Sequence, residues 1–355
     1  MHKGCAWRER GLDFQASPKN FISRGGIAVS GIIKKLSVAI GLMTGLTCSQ
    51  SALGQSDNYP SREVKIICAF PAGSGADIWV RFFAEQARPL LKQPVLVENR
   101  VGASGLMATT AAAKSKPDGY TLFMHSPTSL AANYFMFKDK PIDPSKEMVT
   151  VASLFKFTFY LTVAANKPWK DVKDLIADLR IKGDKASYAT TAPPGQLMGS
   201  LFKEILQLKA LEVPYRTGPD ALNDYLSGAI DYGFQDGVFA LAQQRAGNLR
   251  VLAIGSRERM NSHPDIPTLH EMGVEGLDVP GFFGIMAPTG TPQPVIETLN
   301  GVFRDVVASQ AAQEFIVRSG GEPLSLSASD AQKRFLHSFE EWGRLIKVAK
   351  IDPKG

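Results

Sequence analysis

The sequence has few of the residues that build disulfide frameworks, metal centres and nucleophilic active sites. Its 355 residues include 3 cysteines and 5 histidines. Cys5 and Cys48 fall in an N-terminal segment with the character of a leader, which leaves Cys68 as the one cysteine beyond it. A single cysteine forms no disulfide within its own chain, and its place in an apolar strand predicts a core side chain rather than a nucleophile.

Catalytic and metal-binding motifs are also missing. The sequence contains no His-Glu-x-x-His, no paired cysteine motif and no Walker loop, and its histidines are scattered. Ser104 lacks the spacing of a nucleophile elbow. His125, at the end of a predicted strand, is the histidine nearest to a possible ligand, and a structural or surface role is favoured for it. We therefore expect no enzyme activity, no cofactor and no metal site.

Positive charge is concentrated at the N-terminus. The formal net charge is +6, and residues 1–54 contain seven basic and two acidic residues, so +5 lies there and +1 remains for the rest. A nearly neutral remainder argues against a nucleic-acid or membrane-surface partner.

Residues 1–54 have the features of a secretory signal peptide. Lys34-Lys35 precede the uncharged apolar run Leu36–Leu46, and Ala52-Leu53-Gly54 offers small residues for cleavage. The apolar run is too short to cross a bilayer. The residues before Cys48 are a poor context for lipidation, so we expect no lipoprotein anchor.

The stretch Lys65–Asp77 predicts a strand, a glycine-bearing turn and the start of a helix. Its first half is nearly all apolar, which is typical of a strand buried on both faces. Ser74 is a good N-cap, and Asp77 follows at the spacing of a capping box. Because free N–H groups and the positive end of the helix dipole converge there, the turn is a candidate anion site.

Two other interpretations of this turn stay open. Any α/β protein needs such a turn between a strand and a helix. A dinucleotide-binding turn is the second alternative, since Gly73-Ser74-Gly75 supplies two glycines and Glu98 ends the next strand. Ile78 stands where the third glycine of that fingerprint belongs, which weakens the match.

Strand and helix patterns alternate along the rest of the chain. This alternation predicts an α/β fold with parallel sheets, helices on both faces and ligands beyond the carboxyl ends of the strands. The apolar segments Met148–Val163 and Gly281–Pro288 are expected to cross into and out of a second strand–helix series. The expected division is a signal peptide at 1–54, one lobe at 57–157 with 277–355, and a second lobe at 158–276.

Several segments, in a fixed order, resemble those of a known family. The chain beyond the leader resembles the substrate-binding proteins of tripartite tricarboxylate transporters, the Bug family of solute receptors. The matching segments are Phe70–Asp77, Gln93–Arg100, Pro117–Leu122, Val213–Arg216, Leu226–Asp231 and Ala287–Pro292.

The resemblance implies a fold, a location and partners. The expected fold is a two-lobed periplasmic binding protein, type II-like, in which each lobe is a mostly parallel sheet flanked by helices and the ligand lies in the cleft. The expected partners are a small organic carboxylate and the membrane subunits of a tripartite tricarboxylate-type transporter, with no nucleic acid. We expect a periplasmic monomer.

The runner-up functions are a secreted α/β enzyme acting on a small carboxylate, a periplasmic sensor for a signalling partner and, more weakly, a nucleotide-binding protein.

The second-lobe turn departs from the family pattern. Where the family turn is rich in glycine and serine and is followed by histidine, Thr190–Leu197 is shorter and has no histidine. Arg216 is expected to pair with a second carboxylate, unless it is simply solvated. Asp236 suits an amine or hydroxyl of the ligand, or else caps the helix from Gly237. The expected ligand-binding residues are Phe70, Ala72, Gly73, Ser74, Asp77, Ser126, Thr190, Thr191, Ala192, Gln196, Arg216 and Asp236.

Overall fold

The computed structural model describes residues 59–191, 193–278 and 281–353. The predicted signal peptide and Ala192 lie outside this range, so the prediction of a leader stays a prediction. The strands are β1 (Val64–Cys68), β2 (Val95–Asn99), β3 (Thr121–His125), β4 (Met148–Phe157), β5 (Tyr160–Ala164), β6 (Ser187–Thr190), β7 (Leu211–Pro214), β8 (Tyr232–Gln235), β9 (Leu249–Ile254), β10 (Gly281–Pro288) and β11 (Gly321–Pro323).

Helices alternate with these strands along most of the chain. They are α1 (Gly75–Leu91), α2 (Leu106–Ala113), α3 (Pro127–Met136), α4 (Pro144–Glu147), α5 (Val172–Lys182), α6 (Pro193–Ile205), α7 (Gly218–Ser227), α8 (Gly237–Arg245), α9 (Gln293–Ala308), α10 (Gln310–Arg318) and α11 (Ala328–Val348). Within the described ranges, no helix is long and apolar enough to cross a membrane.

The strands form two sheets, each of which is the centre of a lobe. The first lobe has six strands in the order β11-β4-β10-β3-β1-β2, and the second has five in the order β7-β6-β8-β5-β9. The prediction of an α/β fold with two lobes is therefore confirmed. The expected residue boundaries of the lobes, as units that move against each other, stay a prediction.

Both sheets are mixed, which corrects the expectation of mostly parallel pairing. β1 pairs in parallel with β2 and β3, and β6 pairs in parallel with β7 and β8. The neighbours of β10 and β5 are antiparallel to them. The reason is topological: β5 and β10 each begin where the chain enters a lobe, whereas β1, β3, β6 and β8 end at that same edge.

The chain crosses between the sheets at two places. The first crossing is Thr158-Phe159, between β4 and β5, and the second lies between Thr268, which still bridges Ile254 of β9, and the start of β10. The first crossing is tied to the residue that follows β9, because Thr158 Oγ1 donates to the Gly255 carbonyl at 2.7 Å and the Gly255 N–H donates to Phe159 O at 2.9 Å. The cleft between the lobes is therefore closed at one end by a hydrogen-bonded pair of strand connections.

An aromatic cluster in the first lobe lies next to the Thr158-Phe159 crossing. Trp79 from α1 contacts Phe155 at 4.9 Å and Phe283 at 5.1 Å between ring centroids, and Phe157 contacts Phe283 at 5.6 Å. Ring burial on this scale stabilises the lobe, and each ring pair contributes roughly 0.5–1.5 kcal/mol beyond its buried area. Strands β4 and β10 are thereby fixed at the base of the cleft.

Helices α3 and α10 and strand β11 are among the elements not expected from the sequence, and helix α6 begins earlier than expected. Helix α3 follows β3 directly, although Ser126 at its N-cap position and Pro127 at its first position are ordinary start signals. Helix α6 begins at Pro193, inside the segment expected to be a turn. Strand β11 pairs with β4, and helix α10 packs against β11, where the sequence alone showed no strand pattern.

Candidate functional site

The carboxyl ends of strands from both lobes face one cavity of about 500 Å³. Turns that follow β1 and β2 line it from the first lobe, and turns that follow β6, β7 and β8 line it from the second. This is the edge at which ligands bind in open α/β sheets. Side chains from β4, β10 and the Thr158-Phe159 crossing form its base.

The turn between β1 and α1 presents backbone donors to the cavity. Ser74 is the N-cap of α1, and its Oγ accepts from the Asp77 N–H at 3.3 Å while donating to Pro71 O at 2.7 Å. The first N–H groups of a helix have no partner within the helix. The Gly73 N–H is bonded to Asp77 Oδ2 at 2.9 Å, so the donors that this turn directs to the cavity are the N–H groups of Gly75 and Ala76.

Asp77 organises this turn from behind. Its side chain is 2 % exposed and does not line the cavity. Asn99 Nδ2 donates to Oδ1 at 2.7 Å, and Arg81 Nε donates to Oδ2 at 2.9 Å. Burial disfavours ionisation of this carboxyl, but the hydrogen bonds from Arg81, Asn99 and Gly73 outweigh it and hold the Asp77 pKa below its usual value.

The turn after β2 forms a second small-residue surface of the first lobe. Val101, Gly102, Ser104 and Gly105 line the cavity. Ser104 has a left-handed backbone with φ +53°. Asn133 of α3 donates to the Ser104 carbonyl, which holds the turn against that helix. This turn therefore places backbone beside the ligand with few side-chain atoms in between.

The second-lobe turn after β6 is bonded to an acidic side chain that the sequence analysis had not singled out. Thr190 Oγ1 and Gln196 Nε2 each donate to Glu212 of β7, at 3.0 Å. Pro193 and Pro194 begin α6 and have no N–H to offer. This turn therefore gives the cavity fewer donors than the first-lobe turn does.

Arg216 and Asp236 complete the polar lining of the second lobe. Arg216 has a 76 % exposed side chain, and its Nε lies 3.5 Å from Asp220 Oδ2 at the mouth of the cleft. Asp236 is the N-cap of α8, accepting from the Phe239 N–H at 3.0 Å. Burial raises the pKa of the Asp236 carboxyl, although hydrogen bonds from the Phe239 and Val238 N–H groups partly offset this effect. The expected cap is thus present.

Phenylalanine and tryptophan side chains form part of the apolar lining. We call this set the aromatic wall: Phe70, Trp79, Phe157, Phe159, Phe239 and Phe283. Five of the six are buried and Phe70 is half-buried. They come from both lobes and from the crossing, so a ligand in the cavity meets rings on several sides.

The structure brings most of the expected residues to one cavity. The residues that line it are Phe70, Gly73, Ser74, Thr190, Thr191, Gln196, Arg216 and Asp236. Ala72 lines the adjoining mouth of the cleft with Arg216. Asp77 and Ser126 are buried outside the lining, and Ala192 is not described. Lining residues that the sequence analysis missed include Trp79, Ser104, Ser129, Phe157, Phe159, Glu212 and Phe239. For Ser104, the small-residue turn after β2 was the available signal.

His125 supports the site without lining it. It is 1 % exposed, its ring stacks on Phe70 with centroids 4.9 Å apart, and its Nδ1–H donates to the Ser126 carbonyl at 2.9 Å. Burial lowers the pKa of His125 to about 4. Within the described ranges, no group of three histidine, cysteine, aspartate or glutamate side chains is placed to hold a metal ion.

Two α/β lobes joined by two crossings, with one cavity between the carboxyl ends of their strands, define a two-lobed binding protein of the periplasmic type. The chain belongs to the tripartite tricarboxylate transporter family of receptors, because the model of that family matches residues 79–351. The resemblance stated from the sequence is confirmed.

A relative and a solved structure agree with this assignment. The chain is 29 % identical over 318 residues to protein BugT of Bordetella pertussis, covering 88 % of this chain and 97 % of BugT. The structure of the periplasmic binding protein BugD matches with TM-score 0.76 and 28 % identity, covering 83 % of this chain and 100 % of BugD.

A third similar protein was solved with a ligand. Rpa4515 of R. palustris, with adipate, matches with TM-score 0.79 and 27 % identity, covering 84 % of this chain and 100 % of that protein. The family and these neighbours are receptors and not enzymes, which confirms the expectation of a binding protein. Receptors of this family are periplasmic.

Proposed function

We propose that this protein captures a small organic carboxylate between its lobes and delivers it to the membrane subunits of a tripartite tricarboxylate-type transporter. The observation that carries the proposal is the turn between β1 and α1. It directs the Gly75 and Ala76 N–H groups and the positive end of a 17-residue helix into the cavity.

This turn suits a carboxylate because its donors are backbone groups held in place by Asp77. A hydrogen bond to a charged group contributes roughly 1.5–3 kcal/mol when it is sheltered from water. The half-buried Gly75 and Ala76 provide such shelter once the second lobe covers them. Thr191 and the cap region of α8 are the partners that we propose from the other side of the cleft.

Capture requires the lobes to close. We propose that they rotate about the two places where the chain passes between the sheets, which are Thr158-Phe159 and the connection from Thr268 to β10. The lobe boundaries that follow are those expected from the sequence, 57–157 with 277–355 and 158–276. Solution scattering should show a smaller radius of gyration with ligand, and an unchanged radius at saturation would contradict closure.

A ligand screen tests the carboxylate assignment. Purified protein is melted with a set of mono- and dicarboxylates, with matched amides as uncharged controls. A ligand at about 100 times its Kd should stabilise the protein by roughly 2.7 kcal/mol. Binding without chemical change of the ligand after long incubation supports a receptor. Failure of every carboxylate, or conversion of a bound one, would overturn the proposal.

Delivery is tested in cells. Deletion of the gene should abolish uptake of the best ligand from the screen at low concentration, and the parent gene should restore uptake. If uptake persists while the purified protein still binds that ligand, the role as a transport receptor is wrong and a sensory role becomes the better proposal.

A further inference from the structure

The chemistry of the cavity differs between its ends, and this difference restricts the ligand beyond a carboxylate in general. At one end are the backbone donors of Gly75 and Ala76. The aromatic wall lines the cavity as well, and its half-buried member Phe70 is held by ring stacking on His125. A ligand that reaches from the donors across the cavity therefore places its body against rings.

Asp236 of the second lobe lies against Gly75, at the same end as the backbone donors of α1. A second carboxylate, Glu212, lines the cavity on β7, two strands along the sheet from β8, which Asp236 follows. We call Glu212 the acid face of the cavity. Thr190 Oγ1 and Gln196 Nε2, which would otherwise donate to an anionic ligand, donate to Glu212 instead. The two prolines that begin α6 remove two further backbone donors. A second carboxylate on the ligand would meet like charge here.

Arg216 is the one cationic side chain in the cavity lining among the described residues. It lies at the mouth, where its side chain is mostly exposed and faces Asp220. An exposed cation already paired with a carboxylate is a weak partner for a second anion, because solvent screens the attraction. Arg216 therefore does not neutralise the negative charge of the acid face.

We propose that the ligand is an aromatic monocarboxylate and that Glu212 rejects a second carboxylate. This inference rests on the proposed function, since it specifies the ligand of the same cavity. An aromatic body fills the space between the rings, and the acid face accepts hydrogen bonds from any N–H or O–H at the far end of that body. Specificity of this kind comes from a repulsive element as well as from attractive contacts.

Two matched pairs of ligands test the proposal by calorimetric titration. Hexanoate and adipate have the same chain length and differ in the second carboxylate, and benzoate and terephthalate differ in the same way. We expect the monocarboxylate of each pair to bind at least about tenfold more tightly at low salt. We also expect benzoate to bind more tightly than hexanoate.

Two variants link the preference to named residues. Glu212→Gln removes the charge but keeps an acceptor for one donor, and it should reduce the hexanoate-to-adipate affinity ratio by at least about fivefold. Phe70→Leu keeps an apolar side chain but removes the ring, and it should weaken benzoate more than hexanoate. Glu297→Gln, at an exposed position of α9, is the control for loss of a negative charge.

The outcomes separate this inference from the proposed function. If no carboxylate binds, the proposed function fails. If adipate and terephthalate bind as tightly as their monocarboxylate partners, the protein is a carboxylate receptor but the inference is overturned. Arg216 would then be the residue that accepts the second carboxylate. If the affinity ratio is the same in Glu212→Gln and in the parent, Glu212 is not the selecting residue and the inference is equally overturned.

Discussion

Asp236 lies directly against the backbone of Gly75. A β-carbon built on Gly75 would overlap Asp236 Oδ1 and stand 2.9 Å from Asp236 Cγ. Gly75 begins α1 in the first lobe, and Asp236 caps α8 in the second, so this contact brings two helix N-termini together across the cleft. Oδ1 cannot turn aside freely because it accepts the Phe239 N–H. The closeness of the lobes at this point therefore depends on the absence of a side chain at residue 75.

Gly75→Ala should weaken ligand binding while leaving the fold intact. The new methyl group would collide with Asp236 Oδ1, so the lobes would stay further apart and the donors at α1 would remain open to water. We expect an affinity loss of at least about tenfold, or about 1.4 kcal/mol. Calorimetric titration with the best ligand, beside a melting curve, measures both effects.

Gly301→Ala is the matched control for this substitution. A β-carbon at Gly301 meets nothing within 4 Å, and the residue is exposed in α9. Alanine there should stabilise the helix by about 1 kcal/mol and leave affinity unchanged. Shortening the opposing side chain in Gly75→Ala/Asp236→Ser should recover part of the lost affinity. Parent-like binding by Gly75→Ala alone would show that this contact does not limit closure.

Asp77→Asn should destabilise the protein in a pH-dependent way. The amide would face donors that now bond to a buried carboxylate, so we expect a loss of about 2 kcal/mol at pH 7. Burial opposes ionisation of Asp77, but hydrogen bonds lower its pKa in the folded protein below the ordinary value of 3.8. The contribution of the ionised carboxylate to the free energy of unfolding is therefore fully present above pH 3.8, and it is lost as the pH falls through the pKa of the folded state. In urea unfolding, the difference in free energy of unfolding between variant and parent should become smaller in acid. The exposed Asp305→Asn on α9 should show no such difference.

His125→Gln should make the free energy of unfolding depend less on pH between pH 6.5 and pH 4. The folded pKa is about 4 because of burial and the ordinary value is 6.5, so the unfolded chain binds a proton over this interval while the folded chain does not. The parent should thus lose about 3 kcal/mol from this residue as pH falls from 6.5 to 4, with no further loss below. The exposed His337→Gln should keep the parent slope. An identical slope in His125→Gln would mean that His125 is not buried as a neutral ring.

Cys68 should react with thiol reagents only when the protein unfolds. Burial in β1 raises the pKa of its thiol to about 11, so at pH 8 about one thiol in a thousand is ionised, and that thiol is inaccessible. Mass spectrometry of protein beginning at Gln55 should detect slow single labelling in buffer and complete labelling in urea. Ligand should slow the native reaction further. Rapid labelling of folded protein would contradict the burial.

The sequence predicted well those features that depend on neighbouring residues. Ser74 caps α1 as expected, since a capping bond joins residues three positions apart. The apolar face of α11, which carries Phe335, Phe339 and Trp342, follows directly from helical periodicity. Helix α3 was missed although its start signals at Ser126 and Pro127 are equally local.

Other features could not be predicted because they depend on how distant strands pair. The mixed sheets follow from the double crossing, which fixes the directions of β5 and β10. Glu212 reaches Thr190 because β6 and β7 pair with Tyr188 opposite Glu212. Neither relation leaves a periodic signal in the chain.

What the sequence by itself determined is the family, the strand–turn–helix units and most of the turns that meet at the cavity, because each is a matter of short-range pattern. Only the tertiary structure decided which groups face the ligand. It turned Asp77 inward to hold the turn, set Glu212 against the second-lobe donors, and brought Phe157 and Phe283 together into one aromatic wall. These contacts join residues far apart in the chain, and their geometry exists only once both sheets have formed and the crossings have fixed one lobe against the other.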